Sequence, residues 1–284
     1  MATILDTLKK GAEYLQRHGV DEARLNMELL LAHVLKIDRM RLYLDFDRPL
    51  AESHLSALRE LTIRRGKGEP LQHLLGTVEF CDLEFLTDAR ALVPRPETEE
   101  LTRILLARSW PEGASLLDLG CGSGVIGISL ARHLQARSVD LTLADVSPDA
   151  LALARENAAR LLPPAVSVRF IESDLFSALP GERFDLIAAN LPYIPDSAET
   201  ALSREVRRDP AVALYGGENG SEVMERFLAS VGGHLRPGGI VAMEFGVDQA
   251  DTLRRLAGDA GLESVEIRRD LDGIERFLFA VKSP

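Results

Sequence analysis

Leu116-Leu117-Asp118-Leu119-Gly120-Cys121-Gly122-Ser123-Gly124 is the stretch on which the fold of this 284-residue chain turns. Its apolar start reads as a buried strand, and its glycines read as a tight turn opening a helix over Val125–Leu134. Glycines there let the backbone come close to a ligand, with amide hydrogens aimed at it from the helix start. Asp145 ends the next strand, 21 residues after Gly124, where a carboxylate can accept hydrogen bonds from ribose hydroxyls. Asp174, in Glu172-Ser173-Asp174-Leu175-Phe176, ends the third strand and could meet an adenine amino group.

Two cofactors compete for such a turn. Gly122-Ser123-Gly124-Val125-Ile126-Gly127 fits GxGxxG, which admits a nicotinamide dinucleotide. Asp118, just before the glycines, argues against it, because a carboxylate near a diphosphate repels it. The same carboxylate tolerates the cationic sulfonium and ammonium of S-adenosylmethionine. With Asp145 and Asp174 beyond the next two strands, the charge pattern favours S-adenosylmethionine, held by Asp118, Gly120, Cys121, Gly122, Ser123, Gly124, Asp145 and Asp174.

Working outward, helices and strands alternate from residue 97 onward. A helix over Glu97–Ala107 precedes the strand Ser115–Leu119. Then follow the strand Asp140–Ala144, helix Pro148–Arg160, and strands Ser167–Ile171 and Phe184–Ala189. A long loop to about Gly220 leads to a helix over Ser221–His234, strand Ile240–Phe245 and helix Gln249–Ala260. Helices of this length between strands indicate a parallel sheet with right-handed crossovers. The last strands, Ser264–Arg268 and Arg276–Val281, have no helix between them and should pair as a hairpin, placing one antiparallel strand in the sheet. The expectation is an α/β, Rossmann-like seven-stranded sheet.

Residues 1–70 read as helical, with helices near Glu22–Leu35 and Glu52–Arg65 and a linker-like Gly66-Lys67-Gly68-Glu69-Pro70. Residues 77–86 alternate weakly and suggest a short hairpin. The expected division is a helical head (1–70), a linker and hairpin (71–90), and a catalytic domain (91–284). The head fits substrate docking or plain packing equally well from its pattern. Residues 1–80 carry 12 basic and 12 acidic side chains, so the net charge of −11 belongs to the rest, 21 basic against 32 acidic. So acidic a region disfavours free nucleic acid, whose affinity comes mainly from phosphate neutralisation, and suits a basic protein partner. The two cysteines, Cys81 and Cys121, lack metal-type spacing and indicate no disulfide framework or structural metal. No apolar run reaches the roughly 18 residues of a bilayer span. With no signal-like start, a cytoplasmic location is expected.

Asn190-Leu191-Pro192-Tyr193 follows the strand 184–189, at the sheet edge where open α/β folds place ligands. The Asn190 carboxamide offers an acceptor and a donor. With the carbonyl held before Pro192, it could grip both hydrogens of a planar NH2 group. Tyr193 would add a flat face for a planar substrate. A strand-to-loop turn with a proline stop explains the same residues without chemistry.

These segments resemble class I S-adenosylmethionine-dependent methyltransferases, and among them the protein-(glutamine-N5) methyltransferases that act on peptide-chain release factors. Asp21–Leu35 is similar to that family's amino-terminal helix, and Gly68–Gly76 to its linker. Leu92-Val93-Pro94-Arg95-Pro96-Glu97-Thr98-Glu99-Glu100-Leu101 matches a signature of the group, and Asp145–Leu151 and Leu214–Gly220 are also similar. On residue chemistry alone, Pro96 with Glu97, Glu99 and Glu100 is an ordinary helix start. The resemblance implies that this segment borders the active site.

It also implies catalysis by Asn190, Pro192 and Tyr193, a substrate site at Asn190, Leu191, Pro192 and Tyr193, and Leu175 and Asn190 beside the methyl donor. The implied substrate is the glutamine of the Gly-Gly-Gln motif in class 1 release factors, methylated by a monomer. Two departures stand out. Leu191 replaces the first proline of the family's Asn-Pro-Pro-Tyr, giving a tetrapeptide familiar from ribosomal RNA adenine dimethyltransferases. Leu175 stands where some relatives carry an aromatic residue beside the adenine. A glutamine methyltransferase of a ribosomal protein, or one acting on amino groups of nucleic acid, are the rival readings.

Overall fold

A computed structural model describes residues 2–283. The chain divides into two compact units: Met1–Thr77 with Leu202–Arg208, and Val78–Ala201 with Asp209–Pro284.

The first unit is helical, with helices Ile4–Arg17, Ala23–Leu35, Arg39–Leu44, Glu52–Gly66 and Leu71–Leu75. Their shared core includes Ile4, Leu15, Met27, Leu30, Leu31 and Leu58. Thr3 opens the first helix with a capping box closed by Asp6. The segment 202–208 joins this unit through Arg65, which is buried. Its guanidinium donates to Asn26 Oδ1 (2.7 Å), the Glu69 carbonyl (3.0 Å) and Glu205 Oε2 (2.7 Å). A buried guanidinium left without such partners would cost several kcal/mol, roughly 3–5 on breaking one side of the pair.

The second unit is built on seven strands: β1 Ser115–Leu119, β2 Asp140–Asp145, β3 Ser167–Glu172, β4 Phe184–Asn190, β5 Leu235–Glu244, β6 Leu262–Arg269 and β7 Glu275–Lys282. Their spatial order is β6-β7-β5-β4-β1-β2-β3. β7 runs antiparallel to both neighbours, and the pairs β1–β2, β1–β4, β2–β3 and β4–β5 are parallel. β1 and β4 are largely apolar, with Leu116, Leu117 and Leu119 in β1 and Leu186–Ala189 in β4, because helices cover both faces of the sheet. Leu116, Leu141, Leu143 and Ile128 pack on one face; Leu117, Ile187, Phe227 and Met243 pack on the other.

β5 begins five residues before the expected Ile240, at Leu235, with an irregular register opposite Phe184–Leu186. Pro237-Gly238-Gly239 sits in this first part, where glycines and a proline mask the strand period. The expected long loop after β4 also holds structure. Ile194–Pro195 pairs in parallel with Tyr215–Gly217, so the 214–220 segment backs the Asn190–Tyr193 turn. Gly216 has no room for a side chain, since a Cβ there would lie 2.5 Å from the Pro192 carbonyl oxygen.

The strand order reverses between β1 and β4, since the chain leaves β1 toward β2 and β3 and returns through β4 on the other side. The crevice outside the carboxyl ends at this switch point is where such sheets bind ligands.

Candidate active site

A cleft of about 370 Å³ opens at that point, entirely within the second unit. Its wall takes Gly120–Ser123 from the turn after β1, Asp145 and Val146 from the end of β2 and the residue after it, and Ser173–Leu175 from the turn after β3. Asn190–Pro192 come from β4, and Pro94, Arg95 and Thr98 from the segment preceding and opening the helix Pro96–Leu106.

Backbone hydrogen bonds shape the first turn. The Gly120 and Cys121 amides both donate to the Ala144 carbonyl, at 2.8 and 3.0 Å. Gly120, Gly122 and Gly124 have φ of 71, 55 and 81°, in the left-handed region that side-chain residues avoid. Gly120 is doubly required: a Cβ there would stand 2.9 Å from Leu191 Cδ2, so the two turns touch through this contact. Leu191, the residue in place of the family's proline, is buried in it. Asp145 Oδ2 accepts from the Gly122 amide and Oδ1 from the Ser147 amide, both at 2.8 Å. Those bonds hold the carboxylate rigid on the wall, while burial pushes it above its ordinary value. The buried Asn157 side chain ties the Ser123 carbonyl (3.0 Å) to the backbone of Leu86 (2.7 and 3.1 Å), bracing the turn from outside.

Asp118 lies behind the turn and not on the cleft wall. Its Oδ2 accepts the Gly127 amide at 2.8 Å, and its buried Oδ1 has no partner among the described residues. Burial raises this carboxyl to about 7, with Asp145 pushing the same way. Of the two carboxylates, Asp145 is the one on the cleft wall, and Asp118 instead holds the helix start that carries Gly127. Gly124 likewise shapes the turn from behind as the residue before the helix Val125–His133. Cys121 lines the cleft, and burial holds its thiol well above the usual range, in the protonated form.

Asp174 reaches the wall paired with Arg226 (2.6 Å). Leu175 lines the cleft with a left-handed φ of 49°. Phe176 does not substitute for an aromatic there, because it stacks on Phe227 and His234 in the core, at 5.6 and 4.2 Å between ring centres.

The second turn is held by side chains. Asn190 Nδ2 donates to Thr98 Oγ1 (2.9 Å), which donates to Glu244 Oε2 (2.6 Å). Tyr193 Oη donates to Glu244 Oε1 (3.1 Å). Tyr193 thus departs from its expected place as a face for substrate. A buried phenol needs a partner; this one finds Glu244 behind the turn, and burial with the nearby carboxylate pushes its ionisation up. Pro192 does line the cleft. Three further residues hold the site without a motif of their own to mark them: Thr98, Glu244 and Asp209. Asp209 accepts from Arg95 Nη2 (2.5 Å) and the Val93 amide (3.2 Å), fixing the segment before the helix against the cleft. A signal for Glu244 was present: a lone carboxylate inside Val241-Ala242-Met243-Glu244-Phe245 must be buried and so must be paired.

The wall suits a cationic adenosyl group better than a diphosphate. Its cations are Arg90, Arg95 and Arg226, and each already faces a carboxylate: Asp88 with Glu156, Asp209, and Asp174. Among the described residues no group of three or more His, Cys, Asp or Glu is placed to hold a metal ion, and no helix is long and apolar enough to cross a membrane.

This strand order, with a glycine turn at the switch point and an amide-bearing turn beside it, is the architecture of a Rossmann-like methyltransferase. The fold resembles a methyltransferase from Pyrococcus furiosus (TM-score 0.52, 20% identity, covering 71% of this chain and 90% of that one). It also resembles the 16S rRNA N2 G1207 methyltransferase of T. Thermophilus (TM-score 0.51, 21% identity, 72% of this chain and 49% of that one). Family models match residues 6–76 as a PrmC N-terminal domain and 97–217 as a methyltransferase small domain. Release factor glutamine methyltransferases are similar over nearly the full length: 40% identical in Geobacter sulfurreducens (96% of this chain, 95% of the relative) and 37% in Chlorobaculum tepidum (97% and 96%). The chain belongs to the release factor glutamine methyltransferase family.

Proposed function

We propose that the chain transfers the methyl group of S-adenosylmethionine to the side-chain amide nitrogen (N5) of the glutamine in the Gly-Gly-Gln motif of class 1 release factors. One observation carries the reading beyond the family's name. The Asn190 carboxamide on the cleft wall has its NH2 end tied to Thr98, which leaves its oxygen as the group to meet a substrate N–H.

When bound, S-adenosylmethionine supplies an electrophilic methyl carbon on a cationic sulfur. The turn Gly120–Ser123 would hold its amino acid end, Asp145 its ribose hydroxyls, and Asp174 with Leu175 its adenine. An amide nitrogen is a poor nucleophile because its lone pair is delocalised. Asn190 Oδ1 and the backbone carbonyl near Leu191 would accept its two N–H groups and orient the lone pair toward the methyl carbon. The donor so held would give up its methyl carbon to that lone pair and keep the carbon–sulfur electron pair on sulfur, and the extra amide proton would pass to water. Orientation of this kind can recover roughly 7–11 kcal/mol of barrier. Carbonyl dipoles facing the nitrogen also stabilise its growing positive charge.

The helical unit contributes no residue to the cleft wall, and we assign it to docking the protein substrate away from the reacting glutamine. Incubation with labelled methyl donor and, separately, purified release factors, ribosomal proteins and ribosomal RNA tests the reading. Label should appear on the release-factor glutamine; label on RNA or a ribosomal protein alone would contradict it.

A further inference from the structure

We propose that Thr98 and Glu244 are positioning residues that fix which end of the Asn190 carboxamide faces the methyl-accepting nitrogen, an inference that rests on the role assigned to Asn190 above. An ionised carboxylate only accepts hydrogen bonds, and Glu244 takes one hydroxyl on each oxygen, from Thr98 and Tyr193. Thr98 has a single hydroxyl proton. With that proton committed to Glu244, Thr98 Oγ1 can meet Asn190 only as an acceptor, and Asn190 Nδ2 at 2.9 Å supplies the donor. A reversed carboxamide would press its oxygen against a hydroxyl with no proton to give.

The arrangement is built to resist rearrangement. Asn190 and Glu244 are register partners at the carboxyl ends of β4 and β5, and Thr98 comes from the first turn of the helix Pro96–Leu106. Thr98 and Glu244 are buried, so water does not compete for these bonds. A second hydroxyl, on Thr102, donates to the Thr98 carbonyl (2.9 Å) and ties that residue to its own helix. The consequence is specificity by hydrogen-bond sense: an acceptor facing the cleft suits an NH2 group and disfavours a carbonyl oxygen in its place. The sequence signature around Pro94–Glu99 thereby gains a chemical role at Thr98, beyond capping a helix.

Steady-state kinetics on a release-factor substrate, with donor affinity and thermal unfolding measured beside it, tests this. Thr98→Val keeps the shape and removes the hydroxyl, and kcat should fall about 10- to 100-fold with donor Kd within about twofold. Thr98→Ser restores the hydroxyl and should return kcat to within about threefold of wild type. Glu244→Gln is isosteric and removes a buried charge, so it remains readable should Thr98→Val fail to fold. Its NH2 can turn toward Thr98 and free that proton for Asn190 Oδ1, so kcat should fall about three- to tenfold in a folded protein. Wild-type kcat in folded Thr98→Val or Glu244→Gln, or equal loss in the Ser and Val variants, would overturn the proposal. Asn190→Ala separates the two levels. Wild-type turnover there would overturn the role of Asn190 itself, whereas loss there alongside wild-type turnover in Thr98→Val and Glu244→Gln would overturn only the positioning.

Discussion

The turn at Gly120–Gly124 takes its shape from left-handed glycines and bonds made by its own backbone, to the Ala144 carbonyl, Asp145 and Asn157, whereas the turn at Asn190–Tyr193 is held through its own side chains by partners 92 and 51 residues away. Both stand at carboxyl ends of adjacent strands and meet through Gly120 and Leu191. The first brings backbone close to the cleft at Gly120 and Gly122, with only small side chains between, which suits holding a ligand. The second presents one carboxamide in a set orientation, which suits acting on a chosen nitrogen. Binding and chemistry should therefore separate when each is perturbed.

Asn190→Ala should give the largest separation. Losing the acceptor at the reacting nitrogen should lower kcat by about 10²- to 10³-fold, while equilibrium binding of the methyl donor stays within about twofold. Parallel loss of donor binding would mean that the two turns form one inseparable site. Gly120→Ala reverses the pattern. The Cβ meets Leu191 in a left-handed backbone, and strain of about 1–2 kcal/mol should weaken donor binding about tenfold, read by calorimetry. Unchanged binding would show that this turn does not hold the donor.

Acidity sharpens the comparison further. Burial raises the Glu244 carboxyl, as does Glu97; the hydroxyls of Thr98 and Tyr193 and the charge of Arg276 act against them. The net direction is upward, so protonation on acidification should begin above the usual glutamate range and release the Thr98 proton. kcat should show an acid limb there, and the Glu244→Gln profile should be flat over the same interval. At the other turn, Asp118 is raised to about 7 by burial, against roughly 3.9 in an unfolded chain. Between these values the folded state holds a proton that the unfolded state has lost, so stability falls as pH climbs through the interval. Urea midpoints at pH 5 and pH 8 should differ less in Asp118→Asn than in wild type. Tyr193→Phe is the mildest change: it removes one bond to Glu244, costing about 1 kcal/mol of stability and reducing kcat only a few-fold.

The same contrast explains what could be read from sequence. The glycine turn, the seven strands and the antiparallel last strand follow from local signals: apolar runs, turn residues and helix-length spacers. Asn190 was visible because a proline and a tyrosine follow it at a strand end. The partners of Asn190 were not. Thr98 lies within Pro96-Glu97-Thr98-Glu99-Glu100, where the flanking charges already account for a helix start. Glu244 closes an apolar strand, and only pairing in the folded sheet brings it beside Asn190. Tyr193 reads from sequence as a face for substrate because no sequence signal tells a buried phenol which carboxylate it will reach. Asp118 read as a cleft residue because its position on the strand does not reveal that its side chain turns beneath the helix.

The most direct measurement is a crystal structure of the protein with S-adenosylhomocysteine and a Gly-Gly-Gln peptide. Asn190 Oδ1 should lie about 3 Å from the glutamine side-chain nitrogen, with Nδ2 still on Thr98. A glutamine nitrogen seated away from Asn190, or a carboxamide turned so that its oxygen faces Thr98, would contradict it.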